Sequence, residues 1–206
     1  MARKAMDAQA VERERERILV LAQRLTEQDG FKHLSMRKLA EGLGVTATTI
    51  YRYFSSKDEL FLALLVTGFN RLYEGMARCV AETQATVEKL KAAADEYIRF
   101  GIEDKGYYSI MFASDYPECR EYTDPHEAAR AQEATRVSLA VARLMGEAAS
   151  QAVDRPVSVE RVVQAWIVLH GFVSLYHSGI FEDMVGDVQA LREATITQAV
   201  NIALAP

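Results

Sequence analysis

Apolar positions recur at three- and four-residue spacing along nearly the whole chain, and no alternating run is long enough for a convincing strand, so the pattern predicts an all-α fold. A first helix is expected from about Gln9 to Gln28, closing before Gly30 as a left-handed cap. Its start, Glu12-Arg13-Glu14-Arg15-Glu16-Arg17, sets opposite charges three apart and like charges four apart and is read as a solvated face. Arg3 and Lys4 ahead of it are expected to be a disordered start without a role. Residues 35–57 predict two short helices joined by a glycine corner, then the capped start of a third. Leu39, Ala40, Leu43, Val45 and Ile50 are spaced to bury one side, and Gly44 can take the positive φ of a tight corner. A long helix should follow from Lys57 to near Ala81 without proline or linker, then helices over Thr83–Glu103, Tyr107–Ala113 and Pro125–Gln151. Pro117 and Pro125 bracket a loop, Ser158 is placed to cap a helix from Val159, and Gly179 to Gly186 separates it from a last helix through about Leu204.

The second motif helix, read as Ala47 to Phe54, turns Ala47, Ile50 and Phe54 to one face and Thr48, Thr49 and Arg52 to the other, with Tyr51 and Tyr53 on the flanks. Small hydroxyls and one guanidinium suit a major groove, where a threonine methyl can rest on a thymine methyl and arginine can bond a guanine edge. Thr46 is positioned as the N-cap, and Ser56-Lys57-Asp58-Glu59 reads as a capping box opening the next helix. Lys57 then stands at a helix N-terminus, which favours an anion such as phosphate. One exposed Arg or Thr is ordinary surface; the inner spacing, turn glycine, two caps and aromatic flank together point to a DNA-reading motif.

Residues 17–62 resemble the N-terminal DNA-binding domain of the TetR family of one-component bacterial regulators. The likeness is carried by Arg17-Ile18-Leu19, Gly30-Phe31, Ser35-Met36-Arg37-Lys38-Leu39-Ala40, Leu43-Gly44-Val45, Thr49-Ile50-Tyr51-Arg52-Tyr53-Phe54 and Ser56-Lys57-Asp58-Glu59-Leu60. It implies that Arg37, Ala47, Thr48, Thr49 and Arg52 face bases and that Tyr51, Tyr53 and Lys57 hold phosphates. With the cap Thr46 these make the candidate DNA-binding set. Family members vary most at the positions of Ala47, Thr48 and Arg52, so no operator sequence is implied. The expected division is a three-helix head over residues 1–56 and a body of about six helices over 57–206, for ligand binding and dimerisation.

Charge sharpens that division. The net −5 splits into +2 over residues 1–60 and −7 over 61–206, a mildly basic head on an acidic body that should face away from DNA. The two cysteines, Cys79 and Cys119, have no CxxC spacing, which fits a reducing cytosol and offers no zinc site. The charged start has no secretory character, and the most apolar stretch, Val162 to Tyr176, is short for a membrane span, so a cytoplasmic location is expected.

From Val159 to Tyr176 the helix is apolar nearly all round and must be covered on both sides. The last helix repeats the pattern. Two such helices from each of two chains can form a four-helix bundle about a two-fold axis, with Trp166, Ile167, Phe172, Val173, Leu191 and Ile202 as the candidate interface. A single short recognition helix reads too few base pairs, whereas a two-fold dimer reads two half-sites about 34 Å apart. Trp166 to Gly171 also resembles the Trp...His-Gly signature of one C-terminal subgroup of the family.

Body aromatics suggest where an effector could sit: Tyr97, Phe100, Tyr108, Met111 and Phe112, with Trp166 and a polar anchor in His170. At helical spacing such residues are more often plain core. His170 and His177 lack the spacing of a metal pair, and neither a metal nor a cofactor is expected. No nucleophile–base pairing, phosphate-cradling glycine loop or HExxH argues for an enzyme. The expected function is a homodimeric transcriptional regulator, a repressor released from a palindromic double-stranded operator by a small hydrophobic or aromatic effector. The alternative is a DNA-binding or interaction protein of the same fold acting outside transcription.

Overall fold

The computed structural model describes residues 8–113 and 116–206, and among these every regular element is helical. Arg3 and Lys4 lie outside the described residues. The α-helices are α1 (Ala8–Asp29), α2 (Met36–Leu43), α3 (Ala47–Tyr51), α4 (Lys57–Glu82), α5 (Thr86–Glu103), α6 (Lys105–Met111), α7 (Pro125–Val153), α8 (Val159–His177), α9 (Ile180–Met184) and α10 (Val188–Leu204). Short 3-10 turns at Phe31–His33 and Cys119–Glu121 join α1 to α2 and lead into α7.

Local chemistry explains most boundaries. Ser35 and Thr46 cap α2 and α3 by accepting the amides of Lys38 and Thr49, and Ser158 caps α8 by accepting that of Arg161. Gly44 takes φ 68° and ψ 30°, and the Val45 amide returns 2.9 Å to the Ala40 carbonyl, which closes α2 as a Schellman turn. That closure leaves Val45 exposed at the corner, against its expected burial, while Leu39, Ala40 and Ile50 fill the inside. Gly30 also has positive φ, but at ψ 151° it is not the left-handed helical cap expected of it.

Three further boundaries differ from the sequence pattern. The motif helix α3 stops at Tyr51 instead of Phe54, because the amides of Tyr53 and Phe54 both bond the Ile50 carbonyl, tightening the chain so that the Phe54 ring turns fully inward. α5 begins at Thr86, since Thr83 bonds its hydroxyl back to the Cys79 carbonyl at 2.8 Å and extends the last turn of α4. The segment read as a separator after α8 holds α9, formed where Phe181 is buried with its ring 5.2 Å from that of Phe172. The helices from α4 onward therefore number seven among the described residues, one more than expected.

By internal packing the chain divides into two compact units. Among the described residues, the first holds those up to Gly68 together with those of Gly106–Thr135, and the second holds Phe69–Lys105 and Arg136–Pro206. This division cuts differently from the expected 1–56 and 57–206: the start of α4, all but the first residue of α6 and the first turns of α7 pack with the helix-turn-helix. Gly106 makes part of this arrangement possible, because a Cβ there would lie 2.6 Å from the Gln23 carbonyl oxygen on α1. In the second unit α8 packs on α10 and α5, around Leu90, Ile98, Leu169, Val173 and Ala199. Glu96 is buried there, with both carboxyl oxygens bonded by Arg99 at 2.6–2.7 Å.

Candidate nucleic-acid interface

At five residues α3 is too short to persist alone, so its outward face depends on what holds its ends. Ile50 and Phe54 anchor it inward. Thr48, Tyr51 and Arg52 are exposed, and Ala47, Thr49 and Tyr53 are half-buried. The Thr49 hydroxyl lies 3.0 Å from that of the cap residue Thr46, which fixes the two threonines relative to each other. Arg37, near the start of α2, is highly exposed and lies 2.9 Å from Glu41 one turn on.

The far end of α3 is held by a residue read from sequence as solvated. Arg15 of α1 donates to the Tyr53 carbonyl, lies 4.1 Å over the Phe54 ring and pairs with Glu59 at 3.4 Å, and both paired side chains are only 15–16% exposed. Arg15 lies three residues before buried Ile18, on the same face of α1 as Ala22; that spacing was the available signal. Its neighbours behave as the charge pattern suggested, with Arg17 bonded to Glu14 at 3.0 Å on the exposed side.

Ser56 accepts the Glu59 amide at 2.8 Å, but the Glu59 carboxylate reaches the amide and hydroxyl of Ser55, not the Ser56 amide of a reciprocal capping box. The box is displaced by one residue. Ser56 also donates to Glu127 of α7 at 2.6 Å, which ties the cap of α4 to the start of α7. Lys57 does not project freely: its ammonium donates to the Lys32 carbonyl at 3.2 Å and lies 5.0 Å from the centre of the Phe31 ring. Burial lowers its pKa. Phe31, Phe61 and Tyr116 cluster beside it, with Phe61 and Tyr116 stacked at 4.2 Å.

The expected effector residues fall into different units. Tyr108, Met111 and Phe112 belong to the first. Tyr97, Phe100, Trp166 and His170 belong to the second, where Trp166 Nε1 donates to Tyr97 Oη at 2.7 Å. Tyr97 and Phe100 are buried, and His170 is half-buried with its pKa lowered by desolvation. His177 is engaged at 2.8 Å with the Gly101 carbonyl. Among the described residues no cluster of three or more His, Cys, Asp or Glu could hold a metal ion, and no helix is long and apolar enough to cross a membrane.

Of the expected interface residues on α8, Phe172 and Val173 lie inside the chain's own core and cannot meet a partner face, because they pack toward α5, α9 and α10. Ile167 is 63% exposed and continues a four-residue stripe through Val159 and Val163, with Trp166 and Leu175 also exposed. Leu191 and Ile202 on α10 are half-buried. Ala194, Thr197, Gln198 and Asn201 stand exposed on the same helix.

An all-α chain that displays a capped helix-turn-helix on a packed head has the architecture of a bacterial one-component regulator. Residues 18–64 match the description of bacterial regulatory proteins of the tetR family, and residues 90–199 match the tetracyclin repressor-like C-terminal domain. The chain belongs to the TetR family. It is 30% identical over 121 residues to the HTH-type transcriptional activator FasR of Mycolicibacterium smegmatis, an overlap of 59% of this chain and 53% of FasR. It is 36% identical over 86 residues to the regulator EthR of the same organism, covering 42% of this chain and 36% of EthR. The chain thus spans about half or less of these relatives' length. In fold it resembles the crystal structure of SCO4313, with a TM-score of 0.75 at 21% identity over 94% of this chain and 98% of the other. It also resembles FadR from Bacillus subtilis, solved with stearoyl-CoA, with a TM-score of 0.63 at 17% identity over 90% and 97% of the two chains.

The Arg15 clamp has a pH signature. Burial pulls the Glu59 carboxyl up, but the two bonds from Ser55 and the adjacent Arg15 more than offset it and hold the pKa below the usual glutamate range. A folded-state pKa below the unfolded one contributes stability above the unfolded value, roughly pH 4.3, that is lost as pH falls through the folded value. Glu59→Gln should therefore be less stable than the parent to urea at pH 7, with the gap closing as pH drops below about 4. A gap independent of pH would remove the carboxylate from the clamp.

Proposed function

We propose that this chain is a transcriptional regulator that binds a palindromic double-stranded operator as a homodimer and is released by a small hydrophobic effector. The observation that carries the reading is the exposed edge of the motif helix and its exit, where Thr48 and Arg52 are solvent-exposed on a clamped head inside the segment matched to the tetR-family regulatory proteins. Arg37, Thr46, Ala47 and Thr49 complete the base-facing set, and Tyr51, Tyr53 and Lys57 meet phosphates. The role is regulatory and needs no catalytic group or cofactor. Repression is the reading for a dimer that covers promoter DNA. Activation is a second reading, favoured by the likeness to the activator FasR.

The experiment that tests this is a titration of full-length protein against genomic fragments it retains. Arg52→Ala should lower affinity by about 1–3 kcal/mol for operators with one particular base and little for others, while Lys57→Ala weakens all sequences alike. Equal losses on every sequence for both variants would refute the face assignment.

The homodimer rests on the exposed stripe of α8. A helix that is apolar inside and still shows Val159, Val163 and Ile167 outside calls for a second cover, and an identical helix related by a two-fold axis supplies it. Sedimentation equilibrium should give a dimer for the parent chain and a monomer for Ile167→Glu, with operator affinity lost in parallel. A dimeric Ile167→Glu would move the interface elsewhere.

For the effector, the candidate residues are Trp166, bonded to Tyr97, with Phe100 and His170 of the same unit, and the stearoyl-CoA in the FadR structure supports a long acyl chain as the class. A ligand that favours a body shape incompatible with the spaced heads must weaken DNA binding by linkage. Stearoyl-CoA titrated into the protein should alter the emission of Trp166, the sole tryptophan, and reduce operator affinity. No response in either signal would exclude this class.

A further inference from the structure

We propose that the first two turns of α7 make a supplementary contact to the DNA backbone, with Arg130 and His126 meeting a phosphate at the edge of the groove that α3 enters. This rests on the DNA-binding reading above. An open cleft of about 530 Å³ is lined by Tyr51, Arg52 and Tyr53 from the α3 end and by His126 and Arg130 from α7. All of its lining residues belong to the first compact unit. The α7 wall is built into place. Ser56 holds Glu127 at 2.6 Å, and Asp124 caps the helix by accepting the amides of His126 and Glu127 at 2.9 and 3.1 Å.

The charges in the cleft have different freedoms. Arg15 and Glu59 form the largely buried pair that clamps α3, and they balance each other. Among the described residues Arg130 pairs with Glu133, at 3.4 Å, with both side chains nearly 40% exposed. A pair of that kind is weakly held, and a phosphate offers a guanidinium a stronger bidentate partner. Arg52, Arg130 and His126 line the cleft with Glu133 beside Arg130, while Glu59 is engaged by Arg15 and Ser55 and Glu127 by Ser56. In a chain of net charge −5 this cluster stands beside the exposed edge of the reading helix, where a duplex that receives α3 brings its phosphates. Glu133 acts as the counterweight: its carboxylate competes with phosphate for Arg130 and repels the DNA backbone.

The two residues of the Arg130–Glu133 pair therefore have opposite effects, which a merely structural ion pair would not produce. Full-length protein is titrated against a retained genomic fragment and against a random-sequence duplex at several salt concentrations. Arg130→Gln should weaken binding to both about three- to tenfold at low salt, and should lower the log–log salt slope by roughly 0.9, one phosphate. Glu133→Gln should strengthen binding to both, a gain that misfolding cannot mimic. If parent, Arg130→Gln and Glu133→Gln share one affinity and one slope, the α7 contact is overturned while the parent's binding leaves the α3 reading standing. If the parent binds neither duplex, the underlying reading itself fails.

Discussion

Everything the head can present depends on holding a five-residue helix still. Such a segment has no stability of its own, since nucleation consumes nearly all the hydrogen bonds it can form. Arg15 resolves this by acting at the point where α3 has already ended. Its guanidinium covers the Phe54 ring, takes the Tyr53 carbonyl and balances Glu59, so one side chain ties α1, the exit of α3 and the first turn of α4. Thr46 and Ile50 secure the other end. Thr48 and Tyr51 are thereby held exposed at the surface.

The same economy governs the start of α4. Ser55 and Ser56 divide between them the work that a capping box assigns to one serine: one satisfies the Glu59 carboxylate, the other the Glu59 amide. Because Ser56 also bonds Glu127, a continuous polar chain runs from α1 through the α3–α4 corner to α7. α4 itself is unbroken from Lys57 to Glu82, beginning in one compact unit and continuing into the other. The proposed effector response needs this covalent continuity, since a flexible linker would dissipate any displacement before it reached the cap.

The second unit separates two uses of apolar surface that look identical along the sequence. On α8, Phe172 and Val173 fill the chain's own core while Ile167, a few residues away, is turned outward. Both are large, apolar and at helical spacing. The contacts of α8 with α5, α9 and α10 decide between them, and the uncovered remainder is what a second copy would bury.

The all-α class, the helix order and the helix-turn-helix were legible because they rest on local rules: periodicity, hydroxyl caps at Thr46 and Ser158, and a glycine where positive φ is required. The exposed edge of α3 followed from the same arithmetic, as did the inward turn of Ile50 and Phe54. What the chain's order could not convey were relations between residues far apart in it. Arg15 with Glu59, Ser56 with Glu127, and the α7 wall beside Arg52 are long-range pairings of polar groups, and polar side chains carry no periodic mark of what they will meet. The displaced capping box, the helix at Ile180–Met184 and the inward turn of Phe172 and Val173 have the same origin. Local propensity leaves several placements nearly equal in free energy, and the packed tertiary neighbours select one.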